Sequence, residues 1–380
     1  MEGYRICNRC AMDTSDLEIE FKADGTCNHC EKYFDRISEF VYEDSNKSQL
    51  LDNLVKTIKK EGKGNKYDCL IGISGGVDST YVAYLVKDLG LNPLAIHLDN
   101  GWNSELAVSN IEKTLNKLRI DLHTYIIDWE EFKDLQLSFL KASIPGMEVP
   151  TDHAITAILY QTAIKFNIKH IILGANNSSE LIMAPGWSEV EAQRDWKLIK
   201  NIHRKFGTQK LKTFPHFSWL DYYYYLGVKK IKVSSILDLI NYSKDDAIKV
   251  LQEKLDWQYY GGKHYESIYT RFTQGYIQPV KFKFDKRRAH YSNLICRGDI
   301  ERNEVLKVLE KSPYPNEEML KDDTEYVKSK LDLTDKEFNE IMNLEIKSYK
   351  DYDGYYNSRY HLFLRKLIFK LHFFIKSFKK

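Results

Sequence analysis

The clearest chemical pattern in this 380-residue chain is Ser74-Gly75-Gly76-Val77-Asp78-Ser79, which follows the short strand-like run Leu70-Ile71-Gly72-Ile73. Two glycines let the backbone approach phosphate oxygens closely, and N–H groups at a helix N-terminus donate to those oxygens together with the serine hydroxyls. A carboxylate in the same loop is a ligand type that Mg²⁺ prefers, which gives that role to Asp78. The pattern predicts a phosphate-binding loop, and the alternative is an ordinary strand-to-helix turn.

Four cysteines form a second pattern, because a spacer of sixteen residues separates the pair Cys7 and Cys10 from the pair Cys27 and Cys30. Two C-x2-C pairs at this spacing are typical of a structural zinc ribbon with tetrahedral thiolate coordination. Four thiolates leave no position for an activated water, so the site is expected to contribute to folding rather than to catalysis. An iron–sulfur cluster is the alternative.

Two cationic segments lie in the second half of the chain. The first places Lys263, His264, Glu266 and Arg271 beside two glycines, and the second is the run 285–290. That run contributes Lys286, Arg287, Arg288 and His290. Arginine and lysine in such numbers predict a clamp for phosphates or carboxylates, and the alternative is a solvated charged surface.

The elements that must position these residues are visible as an alternation of apolar strands and helical patterns, which indicates an α/β fold with a parallel sheet. Ligands in such sheets bind at the carboxyl ends of the strands. Buried strands are predicted at Cys69–Ile73, Leu94–Leu98, His123–Ile127 and Ile171–Leu173. Helices are predicted at Ser79–Leu89, Ser104–Leu118, Asp152–Phe166 and Ser243–Leu255, with a capping box formed by Thr334 and Glu337.

These patterns divide the chain into four parts: a zinc ribbon (1–35), a helical linker (36–66), the main domain with aromatic and basic covering segments (67–298), and a helical C-terminal region (299–380). The 56 basic and 54 acidic residues give a net charge of +2, so charge alone demands no nucleic-acid partner. No apolar run reaches the length of a spanning helix, and the N-terminus lacks a signal-like segment, so a cytoplasmic protein is expected.

The Ser74–Ser79 motif resembles the PP-loop of the ATP pyrophosphatase superfamily, which cleaves ATP between its α and β phosphates. The resemblance implies an adenine nucleotide alpha-hydrolase-like fold, with Ser74 to Ser79 binding the phosphates and Mg²⁺. It also implies that Asp99 or Asn100 contacts the adenosine, and that the loop with Gly174, Asn176, Asn177 and Glu180 closes over the phosphates and substrate. The chain contains no Walker sequence, which disfavours a kinase-type loop.

Together with the cysteine pairs, the two cationic segments closely resemble the N-acetyl sugar amidotransferase family of surface-polysaccharide (LPS O-antigen) biosynthesis, the WbpG type. The resemblance spans about residues 4–310. It implies ATP, Mg²⁺ and structural Zn²⁺ as cofactors, and a reaction that converts an acetamido group on a nucleotide-activated sugar into an acetamidino group. Segments 261–271 and 286–290 would then line the pocket for sugar and phosphate, with Arg287, Arg288 and His290 as substrate-binding residues.

The expected chemistry begins with attack of the amide oxygen on the α phosphate, and ammonia then displaces AMP. Lys263, Lys286 and Arg271 are expected to stabilise the charge on the departing pyrophosphate. His264 or Glu266 is expected to accept the proton of the ammonium ion.

The source of ammonia is indicated by what the sequence lacks. Neither a Gly-x-Cys-x-Gly turn nor a cysteine directly after the initiator methionine is present, so no glutaminase centre is expected in the chain. Free ammonium or a partner glutaminase must then supply ammonia, and the family resemblance suggests a partner like the HisH/HisF pair of histidine biosynthesis.

Two further hypotheses compete with this one. A PP-loop tRNA thiolase is the enzymatic alternative, although it needs a catalytic cysteine and a basic RNA-binding face. The non-enzymatic alternative is a scaffold that binds nucleotide without turnover. The tail Arg359–Lys380 is basic and amphipathic, which fits a packed helix, a peripheral membrane-surface helix or a partner-docking helix.

Overall fold

The centre of the computed structural model, which describes residues 3–38, 44–188, 192–262, 264–356, 358–359 and 361–362, is a five-stranded parallel sheet. Its strands are β1 (Cys69–Gly72), β2 (Pro93–Asp99), β3 (Asp121–Ile126), β4 (His170–Leu173) and β5 (Lys232–Ser235), in the order β3-β2-β1-β4-β5. Strand β1 lies in the middle and pairs with both β2 and β4. The predicted α/β class with a parallel sheet is therefore confirmed.

Both faces of the sheet are covered, as the continuous apolar runs require. Cys69, Ile71 and Ile73 point to one face and pack with helices that follow β1 and β2. Leu70 points to the other face and belongs to the larger core. This alternation buries β1 from both sides and fixes the loop that follows it at the carboxyl edge of the sheet.

Helices make up most of the remaining chain. The first eight are α1 (Asn28–Ile37), α2 (Asp44–Glu61), α3 (Val77–Asp88), α4 (Glu105–Leu118), α5 (Trp129–Ala142), α6 (Val149–Lys165), α7 (Pro185–Ser188) and α8 (Trp196–Phe206). The others are α9 (Trp219–Tyr223), α10 (Lys244–Leu255), α11 (Ile268–Phe272), α12 (Arg287–Arg297), α13 (Arg302–Leu309), α14 (Glu317–Lys330) and α15 (Asp335–Asn343). Helices α9 and α11 continue as π-helical turns at Tyr224–Val228 and Thr273–Phe282.

Several predicted boundaries agree with these elements to within a few residues, because local signals specify them. Ser104 caps α4 by accepting a hydrogen bond from the Ala107 N–H, and Ser243 caps α10 in the same way through Asp246. The predicted capping box of Thr334 and Glu337 is present at the start of α15. Cap residues act within one helical turn, so the sequence alone is sufficient to locate them.

The third strand departs from the prediction, since it is not buried. Strand β3 is an edge strand, and Ile126 has 74% of its surface exposed. The other edge strand, β5, was not predicted, because Lys232-Val233-Ser234-Ser235 contains no apolar run. Helix α5 also lies outside the predicted set. An edge strand has only one neighbour, so its sequence carries a weaker apolar signal than a central strand does.

The C-terminal region is helical through α13, α14 and α15. Of the amphipathic tail, Arg359–Lys380, the structure describes only residues 359, 361 and 362. Among the described helices, none has both the length and the apolar character required to cross a membrane.

Candidate active site

The loop between β1 and α3 forms an anion pocket. Gly75 has a φ of +80°, and a Cβ at this position would lie 2.5 Å from the carbonyl oxygen of Ala107. Glycine is therefore required both for the backbone conformation and for the close approach of α4. The Ser74 and Ser79 hydroxyl oxygens lie 3.1 Å apart, and the Ser74 N–H donates to Ser79 Oγ at 3.2 Å.

The pocket is a cavity of about 260 Å³ at the carboxyl edge of the sheet. Its floor is the loop itself, and its sides come from the end of β4 and from the segment between α10 and α11. The lining residues are Ser74, Gly76, Val77, Asp78, Ser79, Gly174, Ala175, Glu180, Lys244, Tyr260, His264 and Glu266. Backbone N–H groups at a helix N-terminus and serine hydroxyls are groups suited to binding phosphate oxygens.

Asp78 lies in the first turn of α3, and the hydroxyl of Tyr242 donates a hydrogen bond to its Oδ1 atom. Burial raises the pKa of Tyr242 well above its ordinary value, and the Asp78 charge adds to the effect. Tyr242 therefore stays protonated and orients the carboxylate. Among the residues that the structure describes, the other oxygen of Asp78 has no hydrogen-bond partner, which fits the predicted Mg²⁺ ligand.

Aromatic residues after α10 cover the loop. The indole N–H of Trp257 donates to the Gly75 carbonyl at 3.0 Å, and the Val77 N–H donates to the Tyr260 hydroxyl at 3.1 Å. Next to them, the Ser104 N–H donates to the Glu266 carbonyl at 2.9 Å, which ties the segment to the loop after β2. The covering segment is thus held by contacts with both strand-end loops.

A larger cavity of about 450 Å³ opens from the anion pocket. The two cavities share Asp78, Glu180, Lys244 and His264. The remaining wall is rich in cations and tyrosines: Arg271, Lys286, Arg287, His290, Arg297, Tyr242, Tyr259, Tyr265, Tyr291 and Tyr314, together with Asn176, Ser179, Gly261, Gly262, Gln274, Gly275, Leu294 and Pro313. An anionic ligand with a planar ring and a polar group fits such a lining.

All three cavity arginines are paired with carboxylates, and the partner of Arg297 is Asp299. Arg271 makes a bidentate pair with Asp323, with both N···O distances at 2.7 Å, and Arg287 makes a similar pair with Asp285. Arg271 therefore links α11 to α14, and its positive charge is already compensated by Asp323. This arrangement reduces its expected role as a clamp for pyrophosphate.

Lys286 faces three carboxylates, those of Asp152, Glu148 and Glu180. Burial lowers the pKa of Lys286, and the three carboxylates oppose this effect. Burial also raises the pKa of Glu148 to about 7 and that of Asp152 to about 6. Glu148 Oε2 accepts a hydrogen bond from Thr270 at 2.5 Å, whereas its buried Oε1 has no protein partner among the described residues.

Glu148 and Asp152 were not predicted as functional residues. Both lie at the start of α6, where acidic residues are ordinary, so no local signal distinguishes them. Their proximity to Lys286 arises only when α6 and the segment before α12 meet in the fold.

Glu266 and His264 lie next to each other in the anion pocket. Glu266 Oε1 lies 3.6 Å from His264 Nδ1. Burial acts to raise the pKa of Glu266, but the neighbouring imidazole and other favourable contacts outweigh it, so the pKa lies below its usual value. Both side chains line the anion pocket, as the cationic-segment prediction requires.

Most other predicted site residues also line one of the cavities. They are Ser74, Gly76, Val77, Asp78, Ser79, Gly174, Asn176, Glu180, Arg271, Lys286, Arg287 and His290. Lys263 lies outside the described residues.

Three predicted residues that line neither cavity have other partners in the structure. Asp99 and Asn100 accept hydrogen bonds from the backbone N–H groups of Gly101 and Trp102, so their side chains stabilise their own turn. The Asn177 amide donates to Asp238.

Arg288 was predicted to bind substrate, but the structure places its side chain elsewhere. Its guanidinium lies 2.8 Å from Asp13 Oδ2 and donates to the Ala11 carbonyl at 2.9 Å. It therefore contacts the cysteine module, defined here as residues 3–38, and not the cavity.

The four cysteines of this module converge. Their sulfur atoms lie within 4.8 Å of one another, with distances of 3.8 Å for Cys7–Cys30 and 3.7 Å for Cys10–Cys27. A tetrahedral ion bound at the usual Zn–S length of about 2.3 Å would place its sulfurs about 3.8 Å apart. The residues present therefore fit one Zn²⁺ ion, and the short spacing favours a single ion over a cluster.

Two family profiles match this chain. Residues 266–366 match the C-terminal domain of the LPS biosynthesis protein WbpG-like family, and residues 48–188 match the NAD synthase family. The second match contains the anion loop, so fold and loop define a PP-loop protein. Taken together, the two matches support the WbpG-type family of PP-loop proteins for this chain.

Individual relatives match only parts of this chain. The tRNA-specific 2-thiouridylase MnmA 2 of Fusobacterium nucleatum is 26% identical over 141 residues, which is 35% of this chain and 38% of that protein. The tRNA(Ile)-lysidine synthase of Chlamydia pneumoniae is 33% identical over 70 residues, 18% of this chain and 22% of that protein. This chain thus matches less than two-fifths of either relative.

Among solved structures, the NH3-dependent NAD synthetase of Campylobacter jejuni aligns with 55% of this chain and 93% of its own. The sequence identity is 18% and the TM-score is 0.29.

Proposed function

We propose that this chain is an ATP-dependent amidotransferase that converts the acetamido group of a nucleotide-activated N-acetyl sugar into an acetamidino group, in surface-polysaccharide (LPS O-antigen) biosynthesis. The observation that carries the proposal is the continuity of the two cavities, which share Asp78, Glu180, Lys244 and His264. The anion pocket is the site proposed for ATP phosphates. Much of the larger cavity is lined by residues of the WbpG-like segment, which supports a substrate specific to that family.

The lining of the larger cavity is suited to a nucleotide sugar. Lys244 and Lys286 can contribute positive charge toward a diphosphate, and tyrosines such as Tyr259 and Tyr291 offer planar surfaces to a base or a sugar ring. The polar residues Asn176 and Gln274 can hydrogen-bond hydroxyl or amide groups. A ligand placed here would present one end to the anion pocket.

Asp78 is the residue that would hold Mg²⁺, and the bound ion would neutralise the phosphate oxygens of ATP. The hydroxyl of Tyr242 keeps the carboxylate oriented toward the pocket. The serine hydroxyls and the N–H groups at the start of α3 would bind the pyrophosphate portion.

In the first proposed step, the acetamido oxygen forms a bond to the α phosphorus, and the bond between that phosphorus and the α–β bridging oxygen breaks. The products are an O-adenylated imidate and pyrophosphate. Lys244 and Lys286 lie close enough to the shared region to stabilise the negative charge on the departing group.

In the second step, ammonia forms a bond to the imidate carbon, and the carbon–oxygen bond to AMP breaks. One proton must leave the nitrogen. His264, whose Nδ1 atom lies 3.6 Å from Glu266 Oε1, is proposed to accept it, since histidine is the residue type most often used in general base catalysis.

Ammonia is proposed to come from free ammonium or from a glutaminase partner of the HisH/HisF type. Because ATP and nucleotide sugars are the proposed substrates, the reaction is proposed to occur in the cytoplasm. The two proposals are independent of each other, and the use of free ammonium can be tested with the purified chain.

The match to a tRNA thiouridylase keeps tRNA thiolation as a second candidate. That chemistry needs a reactive thiol near the anion pocket. Outside the cysteine module, Cys69 is buried in β1 and Cys296 lies 3.9 Å from Cys30 Sγ, and neither lines the two cavities described above. Burial raises the pKa of Cys69, which disfavours its reactive thiolate form. These positions favour the amidotransferase.

Nucleotide products separate the candidates. Zinc-loaded protein is incubated with ATP, Mg²⁺, ammonium and UDP-diacetamido uronic acids, and in parallel with bulk tRNA, and the nucleotides are resolved by chromatography. AMP formed only with both sugar and ammonium supports the proposal. AMP that depends on tRNA supports thiolation, and formation of ADP contradicts both.

A further inference from the structure

Helix α12 connects the cysteine module to the larger cavity. Its residues Arg288, Ser292 and Cys296 follow one another at four-residue intervals, so they share one face of the helix. Arg287, Tyr291 and Leu294 occupy a different face and line the cavity. One helix therefore presents one side to the metal-binding module and another to the proposed substrate.

The module face of α12 is held by specific polar contacts. The Ala11 N–H donates to the buried hydroxyl oxygen of Ser292 at 3.0 Å. Arg288 makes an ion pair with Asp13, and the side chains have only 14% and 3% of their surface exposed. Breaking such a pair leaves a buried charge without its partner, so these contacts hold the helix in one position.

Residues of α12 and α13 also contact the predicted metal ligands. Arg302, at the start of α13, donates to the backbone carbonyls of Cys7 and Cys10 at distances between 2.7 and 3.1 Å. Cys296 on α12 lies against Cys30. A Zn²⁺ ion that fixes the four thiolates would therefore also fix the surface on which α12 rests.

We propose that the cysteine module positions the wall of the substrate cavity through α12, with Arg288 and Ser292 as its positioning residues. This inference rests on the proposed function only in taking the larger cavity as the nucleotide-sugar site. The anion pocket depends on β1, α3 and the segment after α10, so its affinity for ATP is expected to be independent of the module.

The test uses Arg288→Met in the full-length zinc-loaded protein, with Lys22→Met as its matched control. Lys22 also pairs with a carboxylate of the module, Glu31, at 2.8 Å, but this pair is half exposed. Zinc content, amide hydrogen exchange of residues 287–297, and binding of UDP-N-acetylglucosamine and Mg-ATP by calorimetry are measured for each protein.

Arg288→Met is expected to retain its zinc, to exchange the α12 amides at least about tenfold faster, and to bind the sugar nucleotide about tenfold more weakly. Its affinity for Mg-ATP should stay within about twofold, and Lys22→Met should match wild type throughout. Unchanged exchange of α12 in Arg288→Met, or an equal loss of sugar and ATP affinity, would overturn the inference.

Ser292→Ala provides a milder variant if Arg288→Met does not fold, and about threefold faster exchange in α12 is expected. If wild type binds no UDP-N-acetylglucosamine, the choice of substrate fails and the exchange data alone decide the inference. Faster exchange confined to α12 and its neighbours then supports the proposed positioning, and unchanged exchange overturns it.

Discussion

Asp78 is the residue on which the proposed chemistry depends most, because it lines both cavities and is oriented by Tyr242. Its position was predictable from sequence, since the residues Ser74–Ser79 are consecutive and form one loop with the first turn of α3. The adjacent Lys286, Arg287 and Arg288 show the opposite case. Lys286 faces three carboxylates, Arg287 pairs with Asp285 and Arg288 contacts the cysteine module.

These three cations could not be distinguished in the sequence. Successive residues of a helix point about 100° apart, so neighbouring side chains in a charged run contact different parts of the protein. The groups that each side chain contacts depend on the elements packed around α12. Those elements come from distant parts of the chain.

Substitution of Asp78 by Asn is expected to lower kcat for AMP formation by about 10²-fold or more, because the metal-binding charge is lost while the shape is retained. Affinity for the adenosine part of ATP should change little. The control is Asp88→Asn, an exposed carboxylate at the end of the same helix. AMP formation by Asp78→Asn at the wild-type rate would contradict the Mg²⁺ assignment.

Glu148 provides a pH-dependent prediction for stability. Its pKa rises from an ordinary 4.5 to about 7 through burial, with Asp152, Lys286 and Glu266 as charged neighbours. The protonated form is favoured in the folded state, so its stabilising contribution is present at low pH and is lost as the pH rises through about 7.

Glu148→Gln removes this titration, so the variant should gain ~1 kcal/mol in free energy of unfolding relative to wild type between pH 6 and pH 8. Urea unfolding at several pH values measures the difference. Glu112→Gln, an exposed change on α4, should leave the pH profile unaltered. Parallel profiles for Glu148→Gln and wild type would show that the carboxyl does not titrate in this range.

At the scale of elements, the central strands were predictable and the edges were not. β1, β2 and β4 are buried on both faces, so their apolar runs are continuous. β3 and β5 lie at the edges, and β5 contains Lys232, Ser234 and Ser235. The phosphate-binding loop follows the central strand β1, which is why its residues could be located from the sequence.

The end of β4 and the start of α3 approach closely at Gly174, where a Cβ would lie 2.9 Å from the Ser79 nitrogen. Gly174→Ala is therefore expected to displace the loop, to lower stability by ~1–3 kcal/mol and to raise KM for ATP severalfold. Gly186→Ala is the control, since a Cβ there meets nothing within 4 Å. Equal stability and KM for the two variants would contradict the close packing proposed for this corner.

At the scale of the whole molecule, the site is assembled from residues far apart in the chain. Asp78 follows β1, Lys244 begins α10, and Arg297 ends α12, yet all three line one cavity. The tyrosines of the wall, such as Tyr242 and Tyr314, were not predicted, because an isolated tyrosine carries no local signal for function. The sequence could indicate an anion site and a cationic partner segment, but not the surface that joins them.

The central claim is that the acetamido oxygen of the sugar attacks the α phosphate of ATP. It is tested most directly by supplying a UDP-N-acetyl sugar whose acetamido oxygen is ¹⁸O, together with ATP, Mg²⁺ and ammonium, and analysing the released AMP by mass spectrometry. The proposed reaction transfers that oxygen to AMP, so one ¹⁸O per AMP is expected. AMP formed with ¹⁶O only, while acetamidino sugar accumulates, would contradict adenylation of the amide oxygen.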